Sequence, residues 1–92
     1  MPKLILLTPE GKNVEYALGE DAVWIGRSRE NGLPIGDRRA SRRHCRVESR
    51  NGHYVVVDDG SANGTTVNGK LIQTRTLDEG DVIQIGTTRI FY

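Results

Sequence analysis

Apolar residues recur along this chain in short runs. Nowhere do they follow the i, i+3, i+4, i+7 spacing of an amphipathic helix, so the pattern predicts strands. Val14, Tyr16 and Leu18 alternate with Glu15 and Ala17, Cys45 and Val47 alternate with Arg46 and Glu48, and Val82, Ile83 and Ile85 flank Gln84. Leu4–Leu7, Val23–Ile25 and Tyr54–Val57 are denser, as in strands covered on both faces or set in a sandwich core. Thr88–Tyr92 is a final β-branched and aromatic run. Asn-Gly occurs at 31–32, 51–52, 63–64 and 68–69. Both residues accept positive φ, which a type I′ hairpin turn needs at its two central positions. Asn51-Gly52 and Asn68-Gly69, each flanked by strand-like runs, predict hairpins. Glu79-Gly80-Asp81 and Gly86 punctuate the last strands. Many short strands with frequent turns predict an all-β, antiparallel sandwich.

At 92 residues this is one domain, spanning 1–92, with little room for a deep interdomain cleft. It shows no internal repeat, low-complexity tract or linker. It reads as a module of, or excised from, something larger. The net charge of +1 is uninformative, but its distribution is not. Residues 27–50 hold eight arginines against Glu30, Asp37 and Glu48, a local +5 that leaves −4 for the rest of the chain. Such a patch attracts anions, or is simply a solvated arginine-rich face. Cys45 is the only cysteine, so no intramolecular disulfide forms and a reducing, cytoplasmic compartment is expected. No apolar run approaches the ~20 residues that span a bilayer, and no membrane association is expected.

Three loop-like stretches carry the candidate chemistry. Gly26-Arg27 ends a strand, and its guanidinium offers a planar fork for phosphate, although one arginine is more often plain surface. Ser41-Arg42-Arg43-His44 places a hydroxyl and guanidinia on neighbouring residues. Read as a hydrolase, Ser41 and His44 with Asp58 or Asp59 would form a triad, but the Gly-x-Ser-x-Gly elbow is missing and the adjacent arginines oppose an imidazolium. The third stretch is Ser61-Ala62-Asn63-Gly64-Thr65-Thr66-Val67-Asn68-Gly69. Asp59, Ser61, Asn63 and Gly64 mimic the start of an EF-hand loop, but its twelfth position is Lys70 where calcium needs a carboxylate. One cysteine with His44 and His53 is too few for a zinc site. No cofactor fingerprint is present. Asn68 reads as turn-forming, whereas Asn63 fits equally a turn or an amide clamp on a peptide backbone.

In combination these residues are specific. Gly26-Arg27, Ser41-x-x-His44 and Ser61-x-Asn63-Gly64-Thr65-x-x-Asn68-Gly69, then Leu77-x-x-Gly80-Asp81 and Ile85-Gly86, resemble the forkhead-associated (FHA) domain from about Leu4 to Tyr92. The resemblance implies an eleven-stranded β-sandwich with ligand loops at one end, and a non-catalytic module that binds phosphothreonine in partner proteins for signalling or regulated assembly. By position, Arg27 and Ser41 would hold the phosphate and Arg42 would add a further contact. Asn63 would clamp the peptide main chain, and Gly26, His44 and Asn68 would shape the loops. Ala62 departs from the family, many of whose members carry a polar side chain there. Its phosphate contact must then come from a backbone N–H or be lost. No metal or cofactor is implied, nucleic acid is not the expected partner, and the isolated domain is expected to be a monomer. A polyanion binder using the arginine patch is the alternative. At 5% aromatic residues it would lack a base-stacking platform.

Overall fold

The computed structural model describes residues 2–8 and 10–92. Its eleven strands are β1 Lys3–Leu7, β2 Asn13–Ala17, β3 Val23–Gly26, β4 Leu33–Pro34, β5 Cys45–Arg50, β6 His53–Asp58, β7 Thr65–Val67, β8 Lys70–Ile72, β9 Thr74–Thr76, β10 Val82–Ile85 and β11 Thr88–Phe91. They form a six-stranded sheet in the order β2-β1-β11-β10-β7-β8, facing a five-stranded sheet in the order β4-β3-β5-β6-β9. The expected sandwich is present. One detail departs from an all-antiparallel arrangement: the two-residue β4 pairs with β3 in parallel, Ile25 opposite Leu33. Among the described residues no helix is long and apolar enough to cross a membrane.

Strand alternation fills the space between the sheets. Leu4 and Leu6 from β1, Val23 and Ile25 from β3, Cys45 and Val47 from β5, Ile83 and Ile85 from β10 and Ile90 from β11 are buried together. Completely burying one such side chain is worth roughly 1.5–3 kcal/mol. The three dense runs part ways. In β1 only alternate residues are buried and Leu7 is exposed. In β6 all of Val55, Val56 and Val57 are buried, although Val55 and Val57 point away from the core cluster. Trp24, Arg46 and Val57 lie in register across β3, β5 and β6 on this outer face, and the guanidinium of Arg43 stacks over the Trp24 ring at 4.1 Å. Leu18, expected to end a strand, lies just beyond β2 and is nonetheless buried, with its N–H donating to the Pro2 carbonyl at 3.0 Å.

Two of the four Asn-Gly pairs make the predicted turns. Asn51 and Gly52 have φ of 51° and 80°, and Asn68 and Gly69 have 52° and 83°. Each closes a two-residue hairpin, with Arg50 opposite His53 and Val67 opposite Lys70. Asn31 and Asn63 do not take positive φ, and their side chains instead bridge between loops. The strand order brings the loops 27–32, 35–44, 59–64 and the β10–β11 turn to one end of the sandwich.

Candidate functional site

Loops 27–32 and 35–44 are zipped together by their backbones. The N–H of Arg27 donates to the Ser41 carbonyl at 3.0 Å and that of Ser28 to the Arg42 carbonyl at 3.2 Å. Gly26 makes this approach possible. A Cβ there would lie inside the Arg42 carbonyl oxygen's van der Waals shell and 2.9 Å from the His44 nitrogen, both backbone atoms that cannot swing aside. Asn31 is buried and ties the same seam, its amide Nδ2 donating to the carbonyls of Ser28 and Arg42, each at 2.7 Å. Arg27 spends its Nε–H on the Ala40 carbonyl at 3.1 Å. That bond fixes the guanidinium while leaving its four Nη hydrogens unspent among the described residues.

His44 is completely buried and joins two loops. Its Nδ1 accepts the Ser41 N–H at 3.0 Å, so Nε2 carries the proton that meets the Gly64 carbonyl at 2.9 Å. The ring therefore faces the Ser41 backbone and a carbonyl, not the Ser41 hydroxyl, and the triad geometry is not formed. The Ser41 Oγ instead accepts the Ala62 N–H at 3.1 Å and keeps its own proton to give. The Ala62 side chain has no donor, and its backbone N–H is given to the Ser41 hydroxyl oxygen.

Asn63 is exposed, and its Nδ2 donates to the Arg39 carbonyl at 2.8 Å. Among the described residues its Oδ1 meets no donor. Asn63 is thus a strut between loops 59–64 and 35–44 that still presents an acceptor. Arg42 is exposed with an unbonded guanidinium among the described residues. Asn68 lies away from this cluster. Its Nδ2 donates to Asp81 Oδ1 at 2.8 Å and its Oδ1 accepts the Val82 N–H at 3.0 Å, so it holds the β7–β8 turn against β10.

Two carboxylates organise the site without having been singled out for it. Asp58 accepts from the Ser61 N–H at 2.8 Å, the Ser61 hydroxyl at 2.6 Å and the Thr65 hydroxyl at 2.7 Å. Burial works to raise its pKa, but these hydrogen bonds and the nearby His44 outweigh it and hold it below the usual range. Asp58, not Asp59, therefore shapes the loop that resembled an EF-hand, and it does so with hydroxyls. Asp37 is buried and spans the sandwich. Oδ1 accepts the Arg39 N–H at 2.9 Å, and Oδ2 accepts the Thr87 N–H and the Thr88 hydroxyl, each at 2.9 Å. Burial again pushes upward, yet these bonds prevail and lower its pKa from 3.8 to about 2. Neither role has a periodic signature: Asp37 sits in a loop and meets partners 50 residues away, and Asp58 is the polar last residue of β6. In the sequence Asn31 carries only the signal of an Asn-Gly turn pair, and nothing local marks its bridge from Ser28 to Arg42.

Comparison with known proteins agrees with this geometry. The sequence model of the FHA domain matches residues 23–86. The chain belongs to the FHA family, whose members are non-catalytic modules that recognise phosphothreonine peptides. It is 34% identical over 90 residues to the oxoglutarate dehydrogenase inhibitor of Corynebacterium efficiens, covering 96% of this chain and 63% of that protein. It is 32% identical over 90 residues to the glycogen accumulation regulator GarA of Mycolicibacterium smegmatis, covering 96% and 57%. The chain thus spans about three fifths of these relatives' length. Among solved structures, the FhaA FHA domain complexed with the intracellular domain of Rv3910 superposes with a TM-score of 0.86 at 33% identity, covering 96% and 97% of the two chains. A structure from a study of phosphothreonine-dependent FHA domain interactions gives 0.87 at 32% identity, covering 98% and 94%.

Proposed function

We propose that this domain recruits a partner by gripping a phosphothreonine between Arg27, Ser41 and Arg42 while Asn63 accepts a main-chain N–H of the same segment. The observation that carries this reading is the seam between the two loops. Arg27 is braced by the Ala40 and Ser41 carbonyls with its Nη groups left open, and the neighbouring Ser41 hydroxyl retains its proton. A dianion meeting both gains charge-assisted hydrogen bonds, the strong kind. Gly26 and His44 keep the loops at this spacing. The names of the relatives support placing the module in a regulatory protein, and the cytoplasm is the compartment that fits its lone reduced cysteine.

Calorimetry with three versions of one peptide tests the reading. The phosphothreonine peptide should bind, the unmodified peptide should not, and the phosphoserine peptide should bind more weakly for want of a methyl worth roughly 0.8 kcal/mol. Affinity should fall as pH drops through about 6, where the phosphate loses its second charge. Folded Arg27→Ala should lose about 1.5–3 kcal/mol, enough to put binding beyond detection for a modest ligand. Equal affinity of wild type and Arg27→Ala would remove Arg27 from the site.

A further inference from the structure

Resting on the phosphothreonine reading, we infer that the partner segment is acidic beyond its phosphate, with Asp or Glu side chains that meet Arg38 and Arg39 where the peptide passes Asn63. The protein pairs its guanidinia selectively. On the strands, Arg46 and Arg50 both meet Glu48 and Arg75 approaches Asp81, with Arg89 of β11 alone unpaired among the described residues. On the two zipped loops none is paired. Among the described residues Arg27, Arg29, Arg38, Arg39, Arg42 and Arg43 have no carboxylate within ion-pair distance, although the loops crowd all six onto one end of the sandwich.

The carboxylates near them do not balance the charge. Glu30 is exposed beside Arg29; Asp37 and Asp58 are committed to N–H and hydroxyl groups of the loops and of Thr87, Thr88 and Thr65; and Asp59 of loop 59–64 approaches Arg46 of β5 at 4.0 Å, so its charge is set against the strand arginines that share Glu48. Six arginines less Glu30, Asp37 and Asp58 leave a surplus of three positive charges. One phosphothreonine brings at most about two negative charges. Arg43 already stacks on Trp24. Arg38 and Arg39 remain exposed, next to the residue expected to clamp the backbone, since Asn63 holds the Arg39 carbonyl itself. A segment laid along Asn63 therefore runs beside two open guanidinia, and carboxylates there form the ion pairs that the fold leaves unmade. Such pairs add affinity modestly at an exposed surface and accelerate encounter more.

The test uses phosphothreonine peptides identical except for their flanks: neutral, Asp/Glu-rich, Lys-rich, or carrying a second phosphate. In fluorescence polarisation at low salt the Asp/Glu-rich peptide should bind about tenfold tighter than the neutral one, and the advantage should shrink as salt rises. Arg38→Gln with Arg39→Gln should erase the advantage and leave the neutral peptide's affinity intact. Arg38→Glu with Arg39→Glu should reverse it in favour of the Lys-rich peptide. Three outcomes overturn the inference: equal binding of neutral and acidic peptides; a preference that survives both double variants; or a gain only from the second phosphate. A single-stranded polynucleotide that outcompetes every peptide would transfer the patch to nucleic acid. Failure of all phosphopeptides, neutral included, would instead defeat the underlying phosphothreonine reading.

Discussion

Asp37 offers the sharpest test of how the recognition loops are held. Its carboxylate accepts the Arg39 N–H on one oxygen and the Thr87 and Thr88 donors on the other, so it buttons loop 35–44 to the β10–β11 turn. Replacing it by Asn keeps the shape but puts an amide nitrogen where donors already converge. The carboxyl pKa falls from 3.8 to about 2 on folding, which corresponds to about 2 kcal/mol. Because the folded pKa is depressed, that stabilisation is complete above pH ~4 and drains away as pH falls toward ~2. Asp37→Asn should therefore be about 2 kcal/mol less stable at pH 7, a drop of roughly 8–16 °C in melting temperature for a domain of this size. The gap between wild type and variant should close as pH falls from 5 to 2. Denaturant unfolding of both proteins over that range measures it. The difference between them is the informative quantity, because Asp58, Asp81 and Glu48 are also held low and bend both curves alike. A gap that stays constant with pH, or its absence at pH 7, would refute the assigned role.

Three further outcomes follow from the same geometry. Gly26→Ala should cost about 1–3 kcal/mol and weaken phosphopeptide binding, because the added methyl collides with the Arg42 carbonyl and pries the seam open; an unchanged melting curve and affinity would contradict that contact. His44→Ala should cost roughly 2–4 kcal/mol, since the Ser41 N–H and Gly64 carbonyl lose a buried partner, with binding reduced only as the loops loosen. Full stability with complete loss of binding would instead make the ring a direct ligand. Cys45 is buried, and burial first, then the Asp58 charge, raise its thiol pKa to about 12; a thiol reagent should label it in denaturant and spare it in the native protein at neutral pH.

What could be read from the residues, and what could not, divides by the range of the forces involved. Strand periodicity and the Asn51-Gly52 and Asn68-Gly69 turns are local, and both appear where expected. The parallel β3–β4 contact involves two residues and leaves no periodicity to detect. Arg27, Ser41, His44 and Asn63 are recognisable as a set because their spacing is that of a family. Which donors are spent is not recognisable, because it depends on contacts across the fold. Nothing local says that Ala62 gives its N–H to Ser41, that Asn31 bridges Ser28 to Arg42, or that Asp37 reaches Thr87. Lys70 at the twelfth position already tells against the calcium-loop resemblance around Asp59 in the sequence, but that Asp58 accepts the Ser61 and Thr65 hydroxyls is visible only in the fold.

The stack of Arg43 on Trp24 makes the domain its own optical probe. Trp24 is the chain's single tryptophan, so its emission arises from one site. That site lies under the guanidinium that follows Ser41-Arg42, with the Arg46 guanidinium 5.4 Å from the ring centre. Any rearrangement of loop 35–44 that lifts or seats Arg43 changes the polarity around the indole. Engagement of the loops can thus be followed in unlabelled protein by intrinsic fluorescence, on the timescale of mixing, without attaching a dye to the surface under study.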